Sequence, residues 1–234
     1  MIYSQTKNKD SMKKIFMMAV VAVMMTVSAS AQYAAGKWSL DLKAGLGASW
    51  LSGSEDIALQ GSRLDKVPAP GFYMGLGTTY QVSRWLGLSG SLTLGLQGQS
   101  WENLKVGDVR YDNNSVSLMY LQLPVMAHLY FYKSWSFNAG IQPGLLISAN
   151  ETSRITDKSG PRKVTSDVRV DVWDDMKKFD LTIPLGISYE LSGHFVLGAQ
   201  YNLGLSAVSK NGYLSDKDVK NGSFLFTFAW KTRL

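Results

Sequence analysis

The sequence predicts an all-β fold, an eight-stranded antiparallel up-and-down transmembrane β-barrel with short periplasmic turns and long extracellular loops. Three observations indicate it: segments in which apolar and polar residues alternate, glycines that fall mostly on the polar side of that alternation, and connections that alternate between short and long. Alternation with a period of two residues is typical of a strand that has one apolar and one polar face. A lipid-facing barrel strand needs an apolar band about ten residues long, flanked by aromatic residues.

The first predicted strand, residues 38–50, shows this pattern most clearly. Its apolar side begins at Trp38 and ends at Trp50, and every second residue between them is Leu or Ala. The other side carries polar and small residues, including Asp41 and Lys43. The segment is long for a strand, and it has the length and the aromatic ends of a membrane-spanning one.

Seven more segments continue the pattern. They cover about 72–81, 85–101, 116–131, 137–148, 179–190, 195–206 and 224–231. Turns of about three residues follow the second, fourth and sixth strands, whereas the long segments 52–71, 102–115, 150–178 and 207–221 follow the odd strands. This arrangement puts both termini on the periplasmic side, and an even strand number lets the first and last strands pair so that no edge is exposed.

A soluble lipocalin-like barrel is the alternative, since it also has eight strands. A lipocalin keeps its apolar residues inside. Here the polar side of the strands is rich in glycine (Gly45, Gly47, Gly75, Gly77, Gly87, Gly95, Gly140, Gly144, Gly186, Gly198 and Gly204). A narrow barrel filled by its own side chains needs small inward residues, so the pattern favours the membrane barrel.

Residues 1–31 are predicted to be a cleavable signal peptide and residues 32–234 the barrel. Lys13 and Lys14 precede an apolar stretch from Ile15 to Val27, and Ala29-Ser30-Ala31 forms a small-residue cleavage site. A membrane anchor is the alternative, but the stretch is shorter than the roughly 20 residues of a spanning helix. The sequence has no cysteine, which excludes a lipid-anchored lipoprotein, disulfides and cysteine-based metal sites. Removing residues 1–31 lowers the formal net charge from +6 to +3, so nothing indicates a nucleic-acid partner.

Several segments resemble an outer-membrane β-barrel domain family often called porin-like or PorT-like. The segment Tyr120-Leu121-Gln122-Leu123-Pro124-Val125 is similar to the hallmark of that family, and Gly140 to Ala149 is similar to its glycine-rich strand. Phe179-Asp180-Leu181 and Tyr201-Asn202-Leu203-Gly204-Leu205 match two later signatures. The family pattern usually ends in an aromatic residue, whereas this chain ends in Leu234. The resemblance covers nearly all of residues 32–234 and implies an outer-membrane location much more than it implies an activity.

Polar residues on the inward side form a predicted lumen network. Its members are Asp41, Lys43, Gln97, Gln122, His128, Gln142, Asp180, Glu190, Gln200 and Lys231. One interpretation is a selectivity path for solutes. The favoured interpretation is a hydrogen-bonded plug, because an eight-stranded barrel is only just wide enough for its own side chains.

The sequence supplies no catalytic, cofactor or metal site. Its two histidines, His128 and His194, are predicted to lie at the periplasmic end, far from the outer rim where an enzyme acting at the surface would need a general base. A non-enzymatic protein is therefore expected.

Three prolines are predicted at similar heights on strands four, five and six. Pro124, Pro143 and Pro184 cannot donate to a strand ladder, and proline is unusual in a paired strand. They form either a weakened seam that admits a lipid tail or opens laterally, or a set of bulges that curve the barrel. The sequence favours the bulges.

The longest loop, residues 150–178, is the candidate site for a partner protein. The alternation of Val168, Val170 and Val172 with charged residues predicts a strand that protrudes above the membrane. Such an edge can accept a strand from a partner, and the candidate contact residues are Arg154, Arg162, Lys163, Arg169 and Trp173. The alternative is a mobile, solvated loop.

The predicted function is that of a non-enzymatic outer-membrane protein that acts structurally or through its extracellular loops. The alternatives are an accessory component of a protein-secretion system, which only the family resemblance suggests, and a narrow channel for small solutes. The expected partners are outer-membrane lipid and lipopolysaccharide, the outer-membrane assembly machinery during biogenesis, and an envelope or secretion-system protein.

Overall fold

A computed structural model of the chain describes residues 35–53, 57–59, 62–106, 108–132, 134–157, 164–191, 194–210, 214 and 218–234. The predicted signal peptide, residues 1–31, lies outside the described residues, so it stays a prediction. No helix in the described part of the chain is long and apolar enough to cross a membrane.

The described residues are almost entirely β-structure, with one 3-10 helix at Trp173–Asp175. The strands are β1 (Trp38–Ser52), β2 (Ile57–Leu59), β3 (Ser62–Leu64), β4 (Lys66–Gln81), β5 (Leu86–Trp101), β6 (Leu104–Val106), β7 (Val109–Gln122), β8 (Val125–Tyr132), β9 (Trp135–Asp157), β10 (Val164–Asp171), β11 (Phe179–Glu190), β12 (Phe195–Ala207) and β13 (Lys220–Arg233).

Eight antiparallel strand positions close into a ring. The order around the ring is β1, β4, β5, then β7 and β8 together at one position, then β9, β11, β12 and β13. β13 pairs with β1 and closes the ring, with Ser39 opposite Arg233 at one end and Ser52 opposite Lys220 at the other. This closure confirms the predicted eight-stranded barrel and removes the two sheet edges that an open sheet would expose.

The fourth barrel strand differs from the prediction because it consists of two strands, β7 and β8. They are separated at Leu123 and Pro124, where the proline nitrogen has no hydrogen to give to the ladder. Ser91 N donates to Pro124 O at 3.0 Å, and Leu123 N donates to Pro143 O at 2.9 Å, so the neighbouring strands remain bonded across the break. The register shifts that involve β7 and β8 lie elsewhere, so Pro124 interrupts the strand without a bulge.

The barrel has an apolar outer surface, as predicted, and a glycine-rich interior that is polar toward the turn end. Leu46, Leu76 and Phe226 are each about two-thirds exposed on the outside, which excludes the lipocalin alternative. Inside, a Cβ atom on Gly75 or Gly140 would overlap the carbonyl oxygen of the neighbouring strand. These positions need glycine because the strongly curved strands approach each other closely there.

At the long-loop end, the strands continue beyond the barrel. β9 runs on to Asp157 and is flanked there by β7 and β10, while β6 pairs with the outer part of β7. We call the four strands β6, β7, β9 and β10 at this end the protruding sheet. The sheet contains the strand expected at residues 168–172 as β10, although Val172 lies outside that strand. The predicted loops are also shorter, because residues 109–115 and 150–157 belong to strands.

Candidate functional site

The outer half of the lumen is filled by an apolar cluster that the sequence analysis did not predict. We call it the cap; its members are Leu51, Trp101, Val116, Leu118, Tyr120, Leu146, Ala149, Val172, Met176, Val208 and Val219. Most are inward-facing residues at the long-loop ends of barrel strands. Leu118, Met176, Val208 and Val219 have no exposed surface. The prediction of a plug made of polar side chains is therefore incomplete, since this half is closed by apolar ones.

Two connecting segments fold into the barrel mouth to complete the cap. Val172 N donates to Ala149 O at 3.1 Å, and Lys177 N donates to Val208 O at 2.8 Å. Val208 N in turn donates to Val219 O at 2.7 Å. These backbone bonds hold the segment around Met176 across the mouth. The alternation of Val168, Val170 and Val172 with charged residues predicts a strand here. It does not distinguish Val172, which is buried in the cap, from Val168 and Val170, which are exposed.

Directly below the cap lies a buried carboxylate, Asp180. It accepts hydrogen bonds from Ser206 Oγ at 2.8 Å, Asn221 Nδ2 at 2.9 Å and Thr182 Oγ1 at 3.3 Å. Asn221 Nδ2 also lies 3.2 Å from Tyr120 Oη, which connects this layer to the cap. Asp180 is only 1% exposed, and several donors together supply the stabilisation that a buried charge requires.

Below this layer the lumen contains a cavity of about 90 Å³. Nine of the ten predicted lumen residues line it, the exception being Asp180. Gln97, Gln122 and Gln142 are each at least nine-tenths buried there, and the buried Oε1 of Gln97 has no hydrogen-bond partner. The fourth glutamine, Gln200, donates to Asn202 Oδ1 at 2.7 Å. The structure thus brings the predicted network together around a space and not into a solid plug.

The turn end of the cavity is charged. Lys43 Nζ lies 2.9 Å from Ser91 Oγ and 3.8 Å from Asp41 Oδ2. Asp41 Oδ2 accepts a further hydrogen bond from Thr79 Oγ1 at 2.5 Å. All of these side chains are on the inward side of β1, β4 and β5, which are three consecutive strands of the ring.

A second carboxylate, Glu190, completes the charged end. Arg233 Nη2 donates to its Oε1 at 2.7 Å, and Lys231 Nζ lies 3.9 Å from its Oε2. Glu190 is 3% exposed, whereas the side chain of Arg233 is about half exposed. Arg233 is the member of this cluster that the sequence analysis missed, although its position two residues after Lys231 on an alternating strand places it on the same side.

His128 lies at the same end of the cavity. Its Nε2 is 2.8 Å from Ser89 Oγ and its Nδ1 is 2.7 Å from Asn138 Oδ1. Both ring nitrogens therefore bond to neutral groups: a serine hydroxyl on one side and, on the other, an amide oxygen in the place where a serine-based triad has a carboxylate. The described residues also contain no group of three or more His, Cys, Asp or Glu that could hold a metal ion.

The described candidate partner-binding residues are spread over the protruding sheet and the 3-10 helix that follows it. Arg154 on β9 binds Asp167 on β10 with two hydrogen bonds of 2.5 and 3.2 Å, and Arg169 Nε donates to Asn150 Oδ1 at 3.0 Å. Trp173 is partly exposed, and Lys178 Nζ lies 3.0 Å from the centroid of its ring. Arg162 and Lys163 lie outside the described residues.

Three solved structures are similar to this one. The structure is similar to the crystal structure of the attachment invasion locus protein Ail of Yersinia pestis, with a TM-score of 0.43 and 16% identity over 85% of this chain and 100% of that one. It is also similar to Neisserial surface protein A, with a TM-score of 0.40 and 12% identity over 83% of this chain and 97% of that one.

A third similar structure is OprG, an outer membrane protein from Pseudomonas aeruginosa, with a TM-score of 0.39 and 12% identity over 85% of this chain and 96% of that one. No curated protein matches the sequence. The sequence model of the outer membrane protein beta-barrel domain matches residues 30–210. The chain therefore belongs to the outer membrane protein beta-barrel domain family, and the protein is an outer-membrane β-barrel.

Proposed function

We propose that this outer-membrane barrel acts without catalysis at the cell surface, by offering the edge of β10 to an extended segment of a partner protein. The observation that carries the proposal is the position of β10. All eight of its residues are exposed, and among the described residues β9 is the only strand that pairs with it. The backbone groups on its other edge are available to a further strand, as in proteins that bind peptides by strand addition.

The side chains of β10 favour a partner strand that has apolar residues at alternate positions. Val164, Val168 and Val170 lie on one face of the strand and are 62%, 39% and 49% exposed. Asp167 and Arg169 alternate with them and engage side chains of β9. A partner segment with apolar residues at every second position would extend this valine face while its backbone pairs with β10.

The edge is also held in place before any partner binds. Eight residue pairs join β10 to β9, from Val164 opposite Asp157 to Asp171 opposite Asn150. The two-pronged contact between Arg154 and Asp167 crosses the same pair of strands. An ordered edge loses less conformational entropy on binding than a flexible loop does, and this supports strand addition over the alternative of a mobile loop.

A paired-variant experiment tests the proposal. A photo-crosslinking residue at Ser166 in the full chain is activated in intact outer membranes, with and without the substitutions Val168→Lys and Val170→Lys. Lysine on an exposed edge strand opposes strand addition, so the crosslinked partner should be lost in that variant. The matched control is Val106→Lys on β6, at the opposite margin of the same sheet, which should leave the crosslink unchanged.

A second measurement shows whether the contact is a strand. The amide protons of β10 should exchange more slowly when the purified partner is added, because strand pairing gives each second amide a new acceptor. A crosslink that persists in the double lysine variant, or β10 amides with unchanged exchange, would overturn the proposal.

Two alternative functions, a secretion accessory role and a narrow channel, require different structural features. An accessory role in protein secretion is the case in which the partner crosslinked to β10 belongs to a secretion system, so the experiment above decides it. A channel for small solutes needs a continuous aqueous path, and the cap fills the outer half of the lumen with apolar side chains. The cap thus supports a surface role over conduction.

A further inference from the structure

We propose that the partner of the β10 edge is β10 of a second copy of this chain, held in a facing membrane, so that the protein joins two membranes by self-recognition. The inference rests on the proposed function, because it names the partner of the same strand edge. The two strands pair in antiparallel fashion, with Val168 of each copy on the two-fold axis. The charges, the faces and the direction of β10 support this arrangement.

Only a few registers are open to two antiparallel copies of β10. A two-fold axis perpendicular to the sheet keeps the same face of both strands on the same side, so even-numbered residues lie opposite even-numbered ones. Within the strand, Val164–Asp171, an axis through Asp167 or through Val168 gives seven opposed residue pairs, and every other centre gives five or fewer. These two registers are therefore the ones to compare.

The charges select between the two registers. With the axis through Asp167, this carboxylate faces the same carboxylate of the second copy. With the axis through Val168, Asp167 of each copy lies opposite Arg169 of the other, so symmetry forms two ion pairs. Opposite charges on facing residues stabilise a pair of strands, and like charges destabilise it. The register centred on Val168 is the favoured one.

Both charged groups have room for a second partner. Arg169 is exposed, its Nε donates to the neutral Oδ1 of Asn150, and no ion pair joins it to a carboxylate among the described residues. A guanidinium has five N–H donors, so Arg169 can also bind Asp167 of the second copy. The Asp167 side chain is 62% exposed although Arg154 binds it, and a carboxylate can accept from two arginines.

The other face of β10 is apolar and matches itself. In the favoured register, Val168 of one copy lies directly opposite Val168 of the other, and Val170 of each copy is its diagonal neighbour. Directly opposite and diagonal side chains contact each other across paired strands. Both valines are exposed in the single chain, so pairing covers part of an apolar surface that is otherwise in water.

The direction of β10 determines where the second copy lies. β9 continues out of the barrel, and β10 is antiparallel to it, so β10 runs back toward the membrane. A strand antiparallel to β10 runs away from this membrane. Because that strand also runs toward its own membrane, the second barrel lies on the far side. Barrel strands are tilted but still cross the membrane, so two barrels in one membrane cannot pair in this way.

A single pair of strands is a small contact, but many copies on two facing surfaces can pair at once. Multivalent binding of this kind is far tighter than one contact alone. The pairing is therefore best measured between membranes and not as a dimer in detergent.

The first test uses the absence of cysteine from the sequence. Full-length barrels with Val168→Cys and one of two different tags are reconstituted separately into phosphatidylcholine vesicles, which are then mixed and mildly oxidised. Opposed residues of antiparallel strands have Cα atoms about 4.5–5.5 Å apart, which a disulfide spans. Dimers that carry both tags are expected. Val170→Cys is the matched control, because it lies opposite Ser166 in this register and should form no dimer with itself.

The second test exchanges charges between copies. Asp167→Arg with Arg154→Asp reverses the ion pair between β9 and β10 and keeps the net charge, but it sets an arginine against Arg169 of a second copy. Arg169→Asp sets an aspartate against Asp167. Vesicles of either variant alone should cluster less by about tenfold or more, because like charges then oppose each other. Mixing the two variants should restore clustering, since opposite charges face each other again.

Self-pairing and the proposed function fail in different ways. No dimer from Val168→Cys, equal dimer from Val170→Cys, or a mixture of the two charge variants that stays unclustered while their β10 amides remain protected would overturn self-pairing. The proposed function would still hold if the crosslinker at Ser166 captures a different protein and the lysine substitutions abolish that crosslink. Loss of both signals would overturn both.

Discussion

His128 and Asn138 face each other across β8 and β9, with His128 Nδ1 2.7 Å from the Asn138 amide oxygen. In this orientation of the amide, its other end, Asn138 Nδ2, donates to Ser188 Oγ at 2.9 Å. An amide oxygen only accepts hydrogen bonds, so Nδ1 of His128 carries the proton. In the neutral ring, Nε2 is then an acceptor for Ser89 Oγ at 2.8 Å.

The first prediction is that His128 is the Nδ1-protonated tautomer in the folded barrel. Nitrogen-15 NMR of a histidine-labelled sample should show a protonated Nδ1 and an unprotonated Nε2 for His128. The Asn138→Asp variant should keep this tautomer, because a carboxylate oxygen also accepts from Nδ1. A protonated Nε2 in the unmodified protein would contradict the assignment.

The second prediction concerns glycines that differ in the space around them. Gly140→Ala should destabilise the barrel by about 1–3 kcal/mol, as overpacking does, because the added methyl group would overlap Val125 O and the Cα of Met126. Gly90→Ala is the matched control, since nothing lies within 4 Å of a Cβ atom added there. Urea unfolding in detergent micelles measures both. Equal unfolding midpoints for the two variants would show that the curvature at Gly140 does not require glycine.

The sequence predicts the barrel far better than the contents of its lumen. Alternation identifies each strand because the apolar side must face lipid, and this constraint acts on every residue of a strand. The inward residues have no such simple pattern. Asp41 and Glu190 could be placed inside from parity alone, but which donors reach them depends on the stagger of neighbouring strands. The cap could not be predicted for a related reason. Met176 lies in a connecting segment outside the strands, where the two-residue alternation of a strand does not apply.

The third prediction is a pH effect confined to the protruding sheet. The hydrogen bond from Arg154 holds the pKa of the Asp167 carboxyl below its ordinary value, and the charge of Arg154 adds to the effect. A lowered pKa in the folded state means that the pair stabilises the sheet above the ordinary pKa of aspartate and loses this effect as the pH falls through the lowered value. The stabilisation is small because both groups are at the surface.

The measurement is the titration of the Asp167 carboxyl carbon by NMR in the unmodified protein and in Arg154→Gln. The titration midpoint should move up toward the ordinary value in the variant. In the unmodified protein, the protection of the β10 amides relative to their intrinsic exchange rates should fall at low pH. The amides of β11, within the barrel, serve as the control and should be unaffected. A midpoint that is the same in both proteins would contradict the role of Arg154.

The fourth prediction is that the cap closes the barrel to ions. Met176 and Val208 have no exposed surface, and Lys177 N donates to Val208 O, so the two residues lie together across the mouth. An apolar constriction excludes water, and ions do not cross it. The unmodified protein should therefore give no steady current in planar lipid bilayers.

Replacing both residues with serine should open a path, because the polar cavity lies beneath the cap and serine side chains can be hydrated. We expect Met176→Ser with Val208→Ser to show discrete conductance steps that the unmodified protein lacks. Val170→Ser, on the exposed face of β10, is the control and should stay silent. The double variant must still migrate as a folded barrel, since truncating buried side chains costs about 2–5 kcal/mol each. Steady current through the unmodified protein, equal to that of the double variant, would show that the cap is not the barrier to ions. That result would support the alternative function of a narrow channel for small solutes.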